Sequence, residues 1–268
     1  MNRRFASILW CCLGLALLPG LAQAGAWPQP EDGGQASFTL NGYGARLQGY
    51  NRFGQAVGVG RERRLEGSVY WEHGVTNRLT FGLQPRLQAS WMTQDGRASN
   101  NQGMAEAKVF ARYTIHRGDW DAAAIQLQTA LPGVAVRDQP RLAEANASYE
   151  IRALYGRGFS LPREMSGFVD LQAAFNYRAG VASDEMLYAI TAGWRFYPGW
   201  MALAQGSTTI GLRNAGPGGA DYAVRRVSVS MLVDLAAQWQ LEVGYIKEVG
   251  GRHVSLGQSV IGALWYRY

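Results

Sequence analysis

The chain has 268 residues, of which 47% are hydrophobic, 12% aromatic and only 17% charged, and it carries 34 glycines. A soluble domain usually has about 25% charged residues and about 7% glycine, so this composition is typical of strands joined by frequent turns. After the N-terminus there is no stretch of about 20 apolar residues, which excludes a helical membrane protein. The formal net charge of +6 is too small to indicate a nucleic-acid partner.

Residues 1–24 form a predicted signal peptide. Two arginines precede an apolar segment at 8–21, and Ala22 and Ala24 supply the small residues of a cleavage site before Gly25. Both cysteines, Cys11 and Cys12, lie in this apolar segment. The predicted mature domain, residues 25–268, therefore has no disulfide and no thiolate metal site.

The rest of the chain alternates between apolar and polar residues in about twelve segments of about ten to fourteen residues. In the clearest of them, Val227, Val229 and Val233 alternate with Arg226 and Ser228. A period of two is the pattern of a strand with two different faces. Such strands build either a soluble sandwich, whose apolar faces meet in a core, or a membrane barrel, whose apolar face contacts lipid.

The positions of the aromatic residues distinguish these alternatives, because membrane barrels carry aromatic girdles at both interfaces. The aromatic residues at or beside predicted turns are Trp71, Trp91, Trp120, Trp194, Phe196, Tyr197, Trp200, Trp239, Tyr266 and Tyr268. We therefore predict an all-β fold, a twelve-stranded antiparallel transmembrane β-barrel of meander topology, located in the bacterial outer membrane.

The predicted connections fall into two classes that alternate along the chain. One class has short turns around 74–77, 117–120, 197–199 and 236–238 with a longer connection around 156–163, and the other has longer loops at 51–63, 93–103, 132–146, 179–184, 214–221 and 249–256. Short turns are periplasmic in bacterial barrels, which predicts that both termini lie on the periplasmic side. The last strand alternates and ends at Tyr268, which resembles the signal for barrel assembly in outer-membrane proteins.

The mature start at 25–30 and the hairpin at 70–83 resemble the outer-membrane barrels named for a meta-pathway of phenol degradation. The same opening is similar to the XagA-like outer-membrane proteins encoded with exopolysaccharide synthesis. The first resemblance implies a barrel, and the second also implies an exopolysaccharide synthesis machinery as a partner. Neither implies a functional residue that can be transferred to this chain.

No catalytic site, metal site or cofactor is expected. The three histidines are scattered: His73 and His116 lie at predicted periplasmic strand ends, and His253 lies in the last surface loop beside Ser255. A lipid-cleaving barrel would need a histidine and a serine together near the outer rim, oriented by an Asn or Asp. A lone His-x-Ser in a loop does not predict such a site, and three separate histidines give no zinc spacing.

The alternation sends a set of charged residues to the lumen. The candidate constriction residues are Arg86, Lys108, Arg112, Arg152, Arg226, Glu106 and Glu150. One interpretation is an anion-attracting constriction, because guanidinium groups stay charged and bind carboxylate or phosphate in bidentate fashion. The other is a lattice of ion pairs that satisfies a polar lumen.

The predicted function is a narrow channel for a small solute, surrounded by outer-membrane lipid and lipopolysaccharide. Two alternatives remain open from the sequence. The barrel is either a non-enzymatic component of exopolysaccharide export or a structural barrel that does not conduct.

Overall fold

The computed structural model describes residues 25–50, 56–133, 140–143, 146–162 and 165–268, with backbone only at 48–50 and 56–59. The predicted signal peptide lies outside the described residues. Twelve strands form one closed barrel in which each strand pairs antiparallel with its neighbours in sequence and β12 pairs with β1. The strands are β1 (Gly34–Tyr50), β2 (Ala56–Gly74), β3 (Leu79–Gln94), β4 (Arg97–Arg117), β5 (Asp121–Pro132), β6 (Ser148–Ser160), β7 (Ser166–Arg178), β8 (Glu185–Tyr197), β9 (Trp200–Gly211), β10 (Ala223–Asp234), β11 (Trp239–Arg252) and β12 (Gly257–Arg267).

The closed meander confirms the predicted fold class and excludes the sandwich. Among the described residues, no helix has the length and apolar character needed to cross a membrane. We call the end of the barrel with connections 75–78, 118–120, 161–165, 198–199 and 235–238 the turn end, and the opposite end the loop end. Both β1 and β12 have their chain termini at the turn end, as predicted.

The two faces of the strands follow the predicted alternation. In β10, Val227 and Val229 are 47% and 59% exposed on the outside, whereas Leu232 on the inward face is buried. In β7, Leu171 and Phe175 are exposed, whereas Ala174 is buried. The outer wall is therefore apolar and the charged residues of the strands lie mainly inside, as a barrel immersed in lipid requires.

Arginine at Val229 tests this assignment. Val229 lies near the middle of β10 on the apolar outer wall, where arginine costs about 2–4 kcal/mol at a bilayer midplane. We expect Val229→Arg to lower the free energy of unfolding in lipid by about that amount, measured by denaturant titration. Ser228→Arg, on the inward face of the same strand, is the matched control, and equal losses at both positions would contradict the membrane-facing wall.

One position of β4 departs from the alternation. Ala105 continues the outward pattern of β4 in the sequence, but the structure buries it completely. The register shifts between Arg86 and Leu87 of β3, so that Ala105 is the extra residue of a β-bulge opposite them. Its carbonyl accepts a hydrogen bond from the amide of Gly133 at 2.8 Å.

Four connections are shorter than predicted by three residues or more. The loop predicted at 93–103 is mostly strand, because β3 and β4 join through Asp95 and Gly96, which have φ of 50° and 78°. Positive φ at both central residues is the geometry of a two-residue hairpin turn. Strand residues also occupy 56–63, 156–160 and 249–252 of the predicted connections. As a result, β1 to β4 extend beyond the other strands at the loop end.

Aromatic residues lie on the outer wall at the turn end, where β1 meets the end of the chain after β12. The backbones of Gly34 and Tyr268 exchange hydrogen bonds of 3.0 and 3.1 Å. The indole of Trp71 donates to the Tyr268 hydroxyl at 2.8 Å, and the His73 ring stacks between these two rings. The predicted aromatic girdle is thus present on this side, and the last residue takes part in it.

Candidate functional site

The segment 25–33, which precedes β1, enters the lumen at the turn end: residues 25–29 lie inside, and residues 30–32 are exposed at the rim. Ala26 is fully buried and packs with Ala122, Ala124 and Leu154 of the barrel wall. Its amide donates to a carboxylate oxygen of Asp170 at 3.3 Å. We call residues 25–33 the N-terminal plug, because they occupy the space through which a solute would leave the barrel.

The side chain of Trp27 packs the plug against the wall from β6 to β10. Its ring meets Phe168 edge to face, with centroids 6.3 Å apart, and packs on a buried cluster that includes Met201 and Leu232. The close approach requires glycine at position 156, because a Cβ atom there would lie 2.2 Å from the Trp27 ring. Aromatic and aliphatic side chains therefore fill the lumen at the turn end.

A polar cluster around Glu72 holds the other side of the plug. Glu72 is completely buried and accepts hydrogen bonds from Gln29 of the plug, from Gln35 at 2.8 Å and from Tyr70 at 2.6 Å. The guanidinium of Arg112, itself 2% exposed, pairs with the same carboxylate at 2.7 Å. A buried carboxylate needs such partners, because desolvation of an unpaired charge is costly.

The loop end contains an open cavity of about 410 Å³. Its wall comes from β3 to β9, and residues 140–143 form its roof, with Leu142 buried. The charged and polar side chains of the wall are Arg86, Glu106, Lys108, Gln128, Arg141, Asn146, Ser148, Glu150, Asn176, Arg178, Glu185, Thr209 and Tyr222. The barrel is thus divided into a polar cavity at the loop end and a filled region at the turn end.

Ion pairs connect one wall of the cavity. Arg86 lies 3.4 Å from Glu66 and 3.3 Å from Glu106, and Lys108 lies 3.5 Å from Glu106. The connected residues alternate in sign across the strands: Glu62, Arg64, Glu66, Arg86, Glu106 and Lys108. We call this set the charge ladder. Its acids and bases balance, and Lys108, with 34% of its side chain exposed, is its most accessible cation.

The structure brings together four of the seven candidate constriction residues. Arg86, Lys108, Glu106 and Glu150 line the cavity. Arg152 pairs with Glu150 at 2.8 Å and also donates to Gln172.

The other two candidates lie elsewhere in the lumen. Arg112 belongs to the Glu72 cluster beside the plug. Arg226 pairs with Glu248 at 3.1 Å and does not line the cavity. Each of the five candidate cations has a carboxylate partner, so they do not form an unpaired cationic ring. This geometry agrees with the lattice interpretation, and an anion-filtering role for any of them stays a prediction.

The alternation of the strands could not predict the residues of the site that lie outside the strands. Trp27 holds the plug, and Arg141 and Tyr222 reach the cavity from loops. The isolated aromatic at Trp27, between a cleavage site and the first strand, is the one sequence signal that could have indicated an inserted segment.

Tyr222 lies in the connection between β9 and β10, at the mouth of the cavity. Burial, together with the nearby carboxylate of Glu185, raises the pKa of Tyr222 to about 12. The phenol therefore stays protonated at neutral pH and donates a hydrogen bond to Glu185. Glu185 also pairs with Arg178 at 2.8 Å, which fixes this side of the mouth.

The histidines lie where the sequence placed them, His73 and His116 at the turn end and His253 in the last loop. His116 contacts Asp121 at 3.1 Å at the turn end, and His253 contacts the backbone oxygen of Asp221 at 3.1 Å in the last loop. Across the residues that the structure describes, no group of three or more metal-ligating side chains comes together.

The fold is similar to those of solved outer-membrane barrels. An outer-membrane channel from Pseudomonas putida F1 matches with a TM-score of 0.66 at 11% identity, over 92% of this chain and 100% of that chain. The transport unit of the autotransporter AIDA-I from Escherichia coli matches at 0.54 and 10% identity, over 96% of this chain and 94% of that one. The translocator domain of the autotransporter NalP from Neisseria meningitidis matches at 0.51 and 11% identity, over 88% of each chain.

No protein-family model and no curated protein sequence matches the chain. The resemblances to the phenol meta-pathway barrels and to the XagA-like proteins therefore stay predictions. Identities of 10–11% show a shared fold and do not extend to a shared solute. The chain has the fold of bacterial outer-membrane barrels.

Proposed function

We propose that the protein is a channel of the bacterial outer membrane that carries a small polar solute and is closed at its periplasmic end by the N-terminal plug. The observation that carries this proposal is the division of the lumen. A polar cavity of about 410 Å³ faces the loop end, and Trp27 with its packing partners closes the path below it. Transport then depends on movement of the plug, and the chain supplies no covalent chemistry.

The side chains that line the cavity favour the binding of a polar solute. Cavities of about 300–1,000 Å³ hold small organic molecules. The wall offers both signs of charge, with Arg86 and Lys108 as donors and Glu106 and Glu150 as acceptors. A solute with both an acceptor and a donor is suited to such a wall. We infer a small molecule that carries a carboxylate or similar anionic group together with a hydrogen-bond donor.

A structural barrel that does not conduct is the second candidate. It is favoured by the dense packing at the turn end, where Met201 and Leu232 are each 1% exposed. This candidate function requires that the plug stays docked in the lumen permanently. The described residues offer no observation that favours exopolysaccharide export.

Recordings in planar lipid bilayers test the proposal, with Lys108 as the probe of selectivity. We expect wild-type protein to give brief currents that favour anions, because Lys108 is the most accessible cation of the charge ladder. Removing this charge in Lys108→Gln leaves the ladder with a net negative charge, so anion preference should fall without loss of folding.

Lys247→Gln is the matched control, because Lys247 is exposed on the outer face of β11, away from the lumen. Unchanged selectivity in Lys108→Gln would contradict a role of the cavity in conduction. Absence of any current, in wild type and in variants with a weakened plug, would establish the non-conducting barrel instead.

A further inference from the structure

Three exposed arginines lie together on the outer wall at the loop end. Arg46 of β1 and Arg61 of β2 are direct cross-strand partners, and Arg63 follows two residues along the same face, about 7 Å away. Like charges directly opposite each other destabilise a sheet. Neither the inward-facing ion pairs nor any other carboxylate in the described part of the chain neutralises these three guanidinium groups. We call them the arginine patch.

The arginine patch begins where the apolar wall ends. On the same face of β2, Leu65 is 50% exposed next to Arg63, and Trp71 marks the aromatic girdle at the turn end. Arg63 and Arg61 are eight and ten residues from Trp71, which corresponds to about 20 and about 25 Å along the barrel axis for a tilted strand. The apolar band of such barrels is about 25 Å tall, so the patch lies at its edge, beside the lipid headgroups.

The charged side chains near the arginine patch on the outer wall are cationic. Arg63 pairs across the sheet with Trp91, which is 49% exposed on the same face. Lys247 of β11 and Arg225 of β10 are exposed on the outer wall at the same end of the barrel. At this end of the described strands, no aspartate or glutamate occupies the outward face.

We propose that the arginine patch is a binding site for the phosphate groups of lipid A, the membrane anchor of lipopolysaccharide. The inference rests on the proposed outer-membrane location, where the loop end faces the outer leaflet. Guanidinium groups bind phosphate in bidentate fashion, and a phosphate between Arg46 and Arg61 would remove their repulsion. The Trp91 ring is suited to the boundary between the acyl chains and the polar headgroup.

Binding of purified lipid A to the full-length mature protein in neutral detergent, followed by native mass spectrometry, tests the site. The probes are phosphorylated lipid A, lipid A with its phosphates removed, and phosphatidylethanolamine. The test variant is Arg46→Gln/Arg61→Gln/Arg63→Gln, with the single variant Arg61→Gln should the triple variant fold poorly. The matched control is Arg157→Gln, because Arg157 is an exposed arginine on the outward face of β6 at the turn end.

We expect wild type and Arg157→Gln to bind phosphorylated lipid A equally, and the triple variant to bind at least about tenfold more weakly. Removal of the phosphates should abolish the difference between wild type and the triple variant. Undiminished binding by the triple variant would overturn the site, and so would equal binding of phosphatidylethanolamine, which would assign a general headgroup contact. Bilayer conductance is measured separately on the same samples, so that a failure of the channel proposal is distinguishable from a failure of this one.

Discussion

Replacing Trp27 with alanine is expected to open the channel. Its indole is the main apolar contact between the plug and the wall formed by Phe168, Met201 and Leu232. Loss of this partly buried ring should weaken docking of the plug by about 2 kcal/mol, which shifts the equilibrium between docked and undocked plug by about 30-fold. Planar bilayer recordings should therefore show a large rise in open probability.

A substitution at Gly156, in the wall of the barrel, disturbs the same contact. Gly156→Ala places a methyl group within 3 Å of the Trp27 ring, so it should also raise the open probability. Trp120→Ala is the matched control, because Trp120 is 56% exposed at the same end of the barrel, outside the lumen. Normal closure in both Trp27→Ala and Gly156→Ala would show that the plug does not control conduction.

Replacing Glu72 with glutamine is expected to cause a large loss of stability. Arg112 would remain buried without its carboxylate, and breaking a buried ion pair in this way costs about 3–5 kcal/mol. We expect a fall of that size in the free energy of unfolding, measured by denaturant titration of the protein in lipid with tryptophan fluorescence.

Glu106→Gln provides the comparison for Glu72. Glu106 also has cationic partners, but 21% of its side chain is exposed and the cavity beside it is open. Because a hydrated ion pair contributes about 1 kcal/mol or less, its loss should be small. Equal losses for Glu72→Gln and Glu106→Gln would contradict the distinction between a buried anchor of the plug and a solvated charge ladder.

The alternation of the strands made the barrel predictable from the sequence. Each residue of β7 or β10 must face either lipid or lumen. Because lipid favours apolar side chains and the lumen favours polar ones, apolar and polar residues alternate along the strand. The same reasoning sends Arg86 and Lys108 to the lumen, and both residues line the cavity. It could not show their partners, because the pairing of Arg86 with Glu66 and Glu106 depends on the register between three strands.

The errors in the predicted connections arose where the apolar and polar residues of a strand do not alternate between lipid and lumen. Residues 97–104 of β4 extend beyond the shared wall, so polar residues occupy both faces and the strand resembles a loop in the sequence. A bulge at Ala105 then changes the phase of the pattern. The plug has no repeating pattern at all, since each of its residues meets a different part of the wall. Its position follows from tertiary contacts such as those of Ala26 and Trp27.

A reversible disulfide between the plug and the wall gives the most direct test of closure by the plug. A Cβ atom at Gly25 would lie 3.0 Å from Cγ of Asp170, which matches the separation of about 3 Å between a Cβ atom and its partner sulfur in a disulfide. The only cysteines of the chain are Cys11 and Cys12, so residues 25–268, refolded as Gly25→Cys/Asp170→Cys, contain no competing thiol.

The measurement is the bilayer conductance of this variant before and after reduction, with Asp170→Cys alone as the control. Closure by the plug predicts no current while the disulfide is intact, and the return of anion-favouring currents when a reductant cleaves it. The same conductance in the oxidised and the reduced protein would contradict the claim that residues 25–33 close the channel.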